Sequence, residues 1–182
     1  MQNLQCVVVG DCGVGKTCIL SSYCSFAFAH EYLPTIVDNY ACNLIINHEP
    51  VHLVLHDTTG EEDFKNVRLL CYTGKDVCLI CFSVIDEVSF YNVESKWIPE
   101  WKIFCPNALV VLVGTKIDMR CSYEIQNKKI LTYQDGLRIK NKYNLESYIE
   151  CSALSNNNIH YLIHSTIAAC LRTKTPKLCS IL

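Results

Sequence analysis

The sequence predicts an α/β domain, with a six-stranded, mostly parallel sheet, one antiparallel edge strand and helices on both faces. Three observations carry this prediction. Short β-branched runs alternate with longer helical ones along the whole chain. Several of these runs are apolar at every position, as strands covered on both faces are. One run instead alternates, Val51, Leu53 and Leu55 against His52 and His56, and follows its neighbour across a short polar turn. That pattern reads as an antiparallel hairpin toward one edge.

In order, strands are predicted at Gln5–Val9, Cys42–Ile46, Val51–His56, Val77–Phe82, Leu109–Val113 and Ser147–Glu150. Helices are predicted at Lys16–Ser25, Val88–Phe104, Tyr133–Tyr143 and Asn157–Thr173. The last helix repeats Ile159, Leu162, Ile163, Ile167 and Cys170 at helical spacing, and Asn156, Asn157 and Asn158 precede it as capping candidates. Parallel strands joined through helices require right-handed crossovers, and ligands of such sheets bind beyond the carboxyl ends of the strands.

Composition narrows the class. The chain has 182 residues, the size of one domain, and 50% of them are hydrophobic against 19% charged, which excludes a disordered chain. A net charge of −2 supplies no global basic field for nucleic acid. Thirteen cysteines occur, yet Met1-Gln2-Asn3-Leu4-Gln5 has no signal-peptide character and no Asn-x-Ser/Thr sequon is present, so reduced thiols in the cytosol are expected. Gln2 in place of Gly excludes N-myristoylation. The longest apolar stretch, Val77 to Ile85, is about half of what a membrane span needs.

Gly10-Asp11-Cys12-Gly13-Val14-Gly15-Lys16-Thr17 matches G-x-x-x-x-G-K-[ST] between a strand and a helix, the context that gives the motif its meaning. Bare glycines let the backbone wrap a polyphosphate, and the N–H groups of Asp11 through Cys18 point at anionic oxygens. Lys16 supplies a point charge, and the Thr17 hydroxyl is a ligand for Mg²⁺, a hard cation. Asp57, at the end of the third strand, is suited to hold the same ion through water.

The chain resembles the small GTPases of the Rho/Rac type from Leu4 to Leu182, in motif order and spacing. Asp57-Thr58-Thr59-Gly60-Glu61-Glu62 is similar to that family's D-T-A-G-Q-E, and Thr115-Lys116-Ile117-Asp118 to its guanine motif with Thr in first place. The second match implies that Asp118 accepts from the adjacent N1–H and 2-amino donors of guanine, a donor pair that adenine lacks. Cys151-Ser152-Ala153 resembles the segment that contacts the guanine oxygen, and Tyr32 to Tyr40 resembles the first switch loop. The resemblance implies a P-loop GTPase (G domain) over residues 1–173 and a C-terminal tail over 174–182. It implies GTP and GDP as ligands and Mg²⁺ as cofactor. Thr35 is expected on the metal and γ-phosphate, Gly60 on the γ-phosphate through its N–H, and Phe28 and Tyr32 around the nucleotide. Effectors, exchange factors and a GDP-dissociation inhibitor are the implied partners of a monomer, and actin or membrane signalling the implied context. Asp38-Asn39-Tyr40 and Lys96-Trp97-Ile98-Pro99-Glu100 point to the Rho branch. Between Asp118 and Glu150 the branch's helical insertion is shortened.

Departures from the family cluster where hydrolysis takes place. Glu61 stands where the family carries Gln, and an ionised carboxylate accepts but does not donate. Cys12 stands in place of Gly, in space needed by a water-positioning residue or an incoming arginine finger. Thr59 replaces Ala. The three together predict slow hydrolysis, or a module that stays loaded with GTP. His56 and Val37 replace aromatic residues, which bears on partner choice.

Cys179-Ser180-Ile181-Leu182 fits the C-a-a-X box, and its terminal Leu predicts geranylgeranylation of Cys179 and attachment to the cytoplasmic face of membranes. One lipid anchors marginally, and Arg172, Lys174 and Lys177 make a thin basic patch. Cys170 reads as a buried helix residue. Cys78 and Cys81 have metal-like spacing but should point to opposite faces of a strand. His160 and His164 lack a companion Glu and read as surface residues.

Overall fold

The computed structural model describes residues 1–25, 36–125 and 129–174. The N-terminal strand, apolar from Cys6 to Val9, runs through the middle of the sheet as β1 (Gln2–Gly10). It lies parallel to β3 (Glu49–Thr58) on one side and β4 (Val77–Ser83) on the other. β5 (Leu109–Thr115) and β6 (Ser147–Glu150) continue the parallel sheet, and β2 (Val37–Ile46) pairs antiparallel with β3 at the opposite edge. The order β2-β3-β1-β4-β5-β6, with helices on both faces, is the expected α/β architecture.

Both strands of the predicted hairpin come out longer. β2 begins at Val37, five residues before Cys42, and β3 alternates buried and half-exposed side chains from Val51 to His56. The hairpin turns on Asn47 and His48, both with positive φ, so the turn is shorter than the four-residue connection the sequence predicts.

Each face of the sheet has its own core. Cys6, Val8, Leu79 and Cys81 pack with α1 (Lys16–Ser25) and α7 (Ile159–Lys174). Val7, Val9, Cys78 and Ile80 pack on the other face with Tyr72, Trp97, Ile98 and Ile139. Cys78 and Cys81 therefore belong to opposite cores, and burial pushes the Cys81 thiol up to about 12. α7 starts two residues later than expected, and its asparagines do other work. Asn158 Nδ2 donates to the Glu150 carbonyl, and Asn157 pairs by backbone with Ser152. His160 and His164 are exposed and flank the Tyr23 ring. Cys170 is buried.

The predicted helix over 88–104 is a rod with a defect. α3 (Glu87–Asn92), capped by the Asp86 carboxylate, passes into a π turn (Val93–Trp97) and on into α4 (Ile98–Phe104). Pro99 explains the turn. It has no N–H for the Ser95 carbonyl, and its ring crowds that oxygen, so the helix widens ahead of it. Two short helices escape sequence reading, α2 (Lys65–Leu70) and α5 (Arg120–Ile125). α6 (Tyr133–Lys142) opens on a capping box between Thr132 and Asp135. Among the described residues no helix is long and apolar enough to cross a membrane.

Candidate nucleotide site

The carboxyl ends of β1, β3, β5 and β6 bring the predicted loops together at one end of the sheet. The phosphate loop leaves β1 at Gly10, where a Cβ would lie 2.2 Å from the Cys81 carbonyl oxygen. Only glycine fits the exit. Lys16 is buried, and its Nζ donates to the carbonyls of Gly10 and Asp11 at 2.8 Å each. Burial lowers its pKa, and the Asp57 carboxylate works against that shift. Cys12 and Gly13 are exposed, Gly15 and Cys18 partly so, and burial raises the Cys18 thiol.

Thr17 Oγ1 donates to Asp57 Oδ2 at 2.5 Å. Asp57 is 0% exposed, and its other oxygen, Oδ1, is buried without a hydrogen-bond partner. Burial raises the pKa of this carboxyl, opposed by the Thr17 hydrogen bond and by Lys16. A buried carboxylate oxygen without a donor, next to a hydroxyl, is the oxygen chemistry a divalent hard cation takes. The residues thus fit Mg²⁺. Thr17, and Asp57 through water, would hold it, and it would supply counter-charge to bound phosphates.

Several expected site residues reach the site through their backbone. The Asp11 carboxylate faces away from the loop, taking Trp97 Nε1–H on Oδ1 at 2.8 Å and Asn92 Nδ2–H on Oδ2 at 2.6 Å. The Thr115 hydroxyl lies 2.5 Å from the Val14 carbonyl and 3.1 Å from that of Phe82, so it ties β5 to the phosphate loop. Ser152 is fully buried, and its Oγ accepts from the Ser155 N–H. Ala153 is held by its carbonyl, 3.5 Å from Ser22 Oγ. Lys116 adopts a left-handed conformation that lays its Cε 4.0 Å from where a Gly15 Cβ would sit. Asp118 is exposed beside it. Arg120 fixes this loop to the next one through Glu150, at 2.5 and 2.6 Å.

The loop after β3 lies directly on the phosphate loop. A Cβ on Gly60 would come 2.5 Å from Asp11 C and Cys12 N. Thr59 Oγ1 accepts from the Glu61 N–H at 3.1 Å, and the Thr59 N–H donates to the Ile36 carbonyl. Arg68 Nη1 holds the carbonyls of Thr59 and Glu61, while Nε and Nη2 form a bidentate pair with Glu100. Lys96 Nζ donates to the Gly60 carbonyl at 3.1 Å and pairs with Glu62. Arg68, Glu100, Asn92, Lys96 and Trp97 were not expected at the site. Pro99, in mid-helix, was the one sequence signal for the turn that aims three of them. Phe28, Tyr32, Thr35 and Cys179 lie outside the described residues.

Phosphate loop, buried strand-end carboxylate, Lys116–Asp118 loop and Gly60 loop converge at one site on this sheet. The family model described as Ras family matches residues 5–172, nearly the whole domain, and the chain belongs to that family of guanine-nucleotide-binding small GTPases.

Proposed function

We propose that this protein is a Rho-type switch whose GTP form binds effectors and whose hydrolytic timer runs slowly. The observation that carries the slow timer is the pinning of Glu61. Its N–H is taken by the Thr59 hydroxyl and its carbonyl by Arg68, so the residue that replaces the water-orienting Gln sits on a fixed backbone. The Cys12 thiol stands exposed on the neighbouring loop, in the path of an arginine finger. Asp38-Asn39-Tyr40, Lys96-Trp97 and Thr115 support the Rho branch. A second reading follows from the same three departures: a module constitutively loaded with GTP and regulated by partners or abundance. Single-turnover hydrolysis of pre-loaded GTP separates them from an ordinary switch. The Cys12→Gly, Thr59→Ala, Glu61→Gln variant is expected to be much faster than the wild type, and equal rates would refute the slow timer.

The C-terminal tail, 174–182, completes the reading as a membrane-attachment segment with geranylgeranyl on Cys179, a peripheral cytoplasmic location and a GDP-dissociation inhibitor as partner. Cys179→Ser should move the protein from the membrane to the soluble fraction of cells. Unchanged fractionation would remove the lipid from the account.

A further inference from the structure

The turn that carries Asp118 is held by the residue at its end. Ile117–Met119 is a single 3₁₀ turn after left-handed Lys116. Asp118 on it is exposed, and its carboxylate has no hydrogen bond among the described residues. The backbone link from this turn to the loop after β6 is weak, Ile117 N–H to the Cys151 carbonyl at 3.4 Å. The short link is Arg120. Its Nη1 and Nη2 donate to the two oxygens of Glu150 at 2.6 and 2.5 Å, and Nη2 also to the Leu131 carbonyl at 3.0 Å. The Glu150 side chain is 11% exposed and accepts the Tyr148 hydroxyl on Oε1 at 2.6 Å. The Leu131 N–H donates in turn to the Val84 carbonyl beyond β4. One guanidinium therefore joins the turn after β5, the end of β6 and the chain that leads into α6.

We propose that Arg120 is a positioning residue for base recognition, setting the Asp118 turn against the Ser152-Ala153 loop so that both meet one guanine. The proposal rests on the guanine-nucleotide reading above, and it assigns part of the base discrimination to a residue whose guanidinium is spent on Glu150 and Leu131. Asp118 and Ala153 follow different strands. β5 and β6 pair only from Val111 with Ser147 to Gly114 with Glu150, and the Cys151 N–H to the Gly114 carbonyl, at 2.8 Å, ends the ladder. Beyond it the sheet no longer holds the two loops in register. A bidentate arginine–carboxylate pair fixes direction as well as distance, which a single hydrogen bond does not. Among the described residues neither Arg120 nor Glu150 hydrogen-bonds to the phosphate loop, so losing the pair acts on the base and spares the phosphates.

The test is a pair of dissociation constants, for GDP and for IDP, each with Mg²⁺, on wild type and variants, with thermal melts of the same samples. The hypoxanthine of IDP keeps the N1–H and lacks the 2-amino group, so the preference for GDP over IDP reads the second donor to Asp118. Arg120→Met should lower that preference by about three- to tenfold, the range that one net hydrogen bond spans. Arg120→Lys keeps the charge and loses the fork, and should fall between Arg120→Met and the wild type. Tyr148→Phe takes one hydrogen bond from Glu150 and leaves the arginine pair; it should lower Tm and keep the preference. General loosening of the domain predicts instead that both nucleotides weaken alike in all three variants. Should Arg120→Met fail to fold, Arg120→Lys carries the test by the same criterion. An unchanged preference in the folded arginine variants, or an equal fall in Tyr148→Phe, overturns the proposal. A wild type that binds GDP and IDP equally would overturn the role of Asp118, and one that binds neither the guanine-nucleotide reading itself; either result removes the proposal too.

Discussion

Replacing Glu100 by Gln tests the buried ion pair beneath the Gly60 loop. Arg68 is 0% exposed and Glu100 6%. The guanidinium donates to both carboxylate oxygens, at 2.9 and 3.1 Å, and the Tyr72 hydroxyl donates to Oε1 at 2.8 Å. The amide keeps the shape but removes the counter-charge. The nearest remaining carboxylate, Glu62, is 3.8 Å from Nη2 and 59% exposed, so solvent screens it. Breaking one side of a dry pair costs about 3–5 kcal/mol. In a chain this long each kcal/mol moves the midpoint by roughly 2–4 °C, so Tm should fall by about 6–20 °C. Thermal and urea denaturation measure it. A loss below about 1 kcal/mol is what a solvated surface pair gives, and would refute the argument that this pair is dry. An Arg68→Met, Tyr72→Phe, Glu100→Leu variant replaces the whole cluster with apolar groups and should regain much of the stability. It still orphans the Thr59 and Glu61 carbonyls, so nucleotide release should remain faster than in the wild type.

The other predictions concern single groups. Asp118→Asn should lower GTP affinity by about tenfold or more, since the site then presents an amide to a donor pair; an unchanged affinity removes the base-recognition argument. Chelating Mg²⁺ should accelerate GDP release from the wild type but not from Asp57→Ala, and an equal acceleration in both would place the ion elsewhere. Burial, with Lys75 Nζ 3.0 Å from its Nε2, lowers the His56 pKa. The folded state therefore disfavours the proton that the unfolded chain takes, so stability is lost as pH falls below about 6.5 toward the folded value. His56→Phe should flatten Tm between pH 7.5 and 5.5 relative to the wild type, with a residual slope from His164, whose pKa burial also lowers. Identical slopes would show that His56 is not the group.

What the sequence made legible follows from local chemistry. Apolar runs and one alternating run specify the sheet, because a strand covered on two faces and a strand covered on one leave different patterns. Gly10 to Thr17 is legible because Gly10 answers to a close backbone approach, Lys16 to a cradle of two carbonyls and Thr17 to the Asp57 carboxylate. The first half of β2 left no pattern. Val37 to Ala41 sit on an exposed edge, and only pairing with Leu55–Thr58 and Val54 makes them a strand. Arg68 and Glu100 are 32 residues apart, and nothing local distinguishes either from a surface charge. The asparagines before α7 read as caps from position alone, but the Asn158 side chain donates to the Glu150 carbonyl and the Asn157 backbone pairs with Ser152.

Burial and function oppose each other at the phosphate loop. Lys16 and Asp57 are both buried, and burial shifts both toward their neutral forms, Lys16 downward and Asp57 upward. Neither is neutralised by its neighbours alone. Lys16 spends its hydrogen bonds on two backbone carbonyls, and Asp57 has one oxygen with no donor. A polyphosphate beside Lys16 and a divalent cation beside Asp57 would each supply the missing opposite charge. Ligands that bind only the folded state stabilise it by mass action. If Lys16 and Asp57 hold these ligands, folding and nucleotide loading are one linked equilibrium, and the two residues that make the bare fold costly would be the ones that make the loaded fold tight.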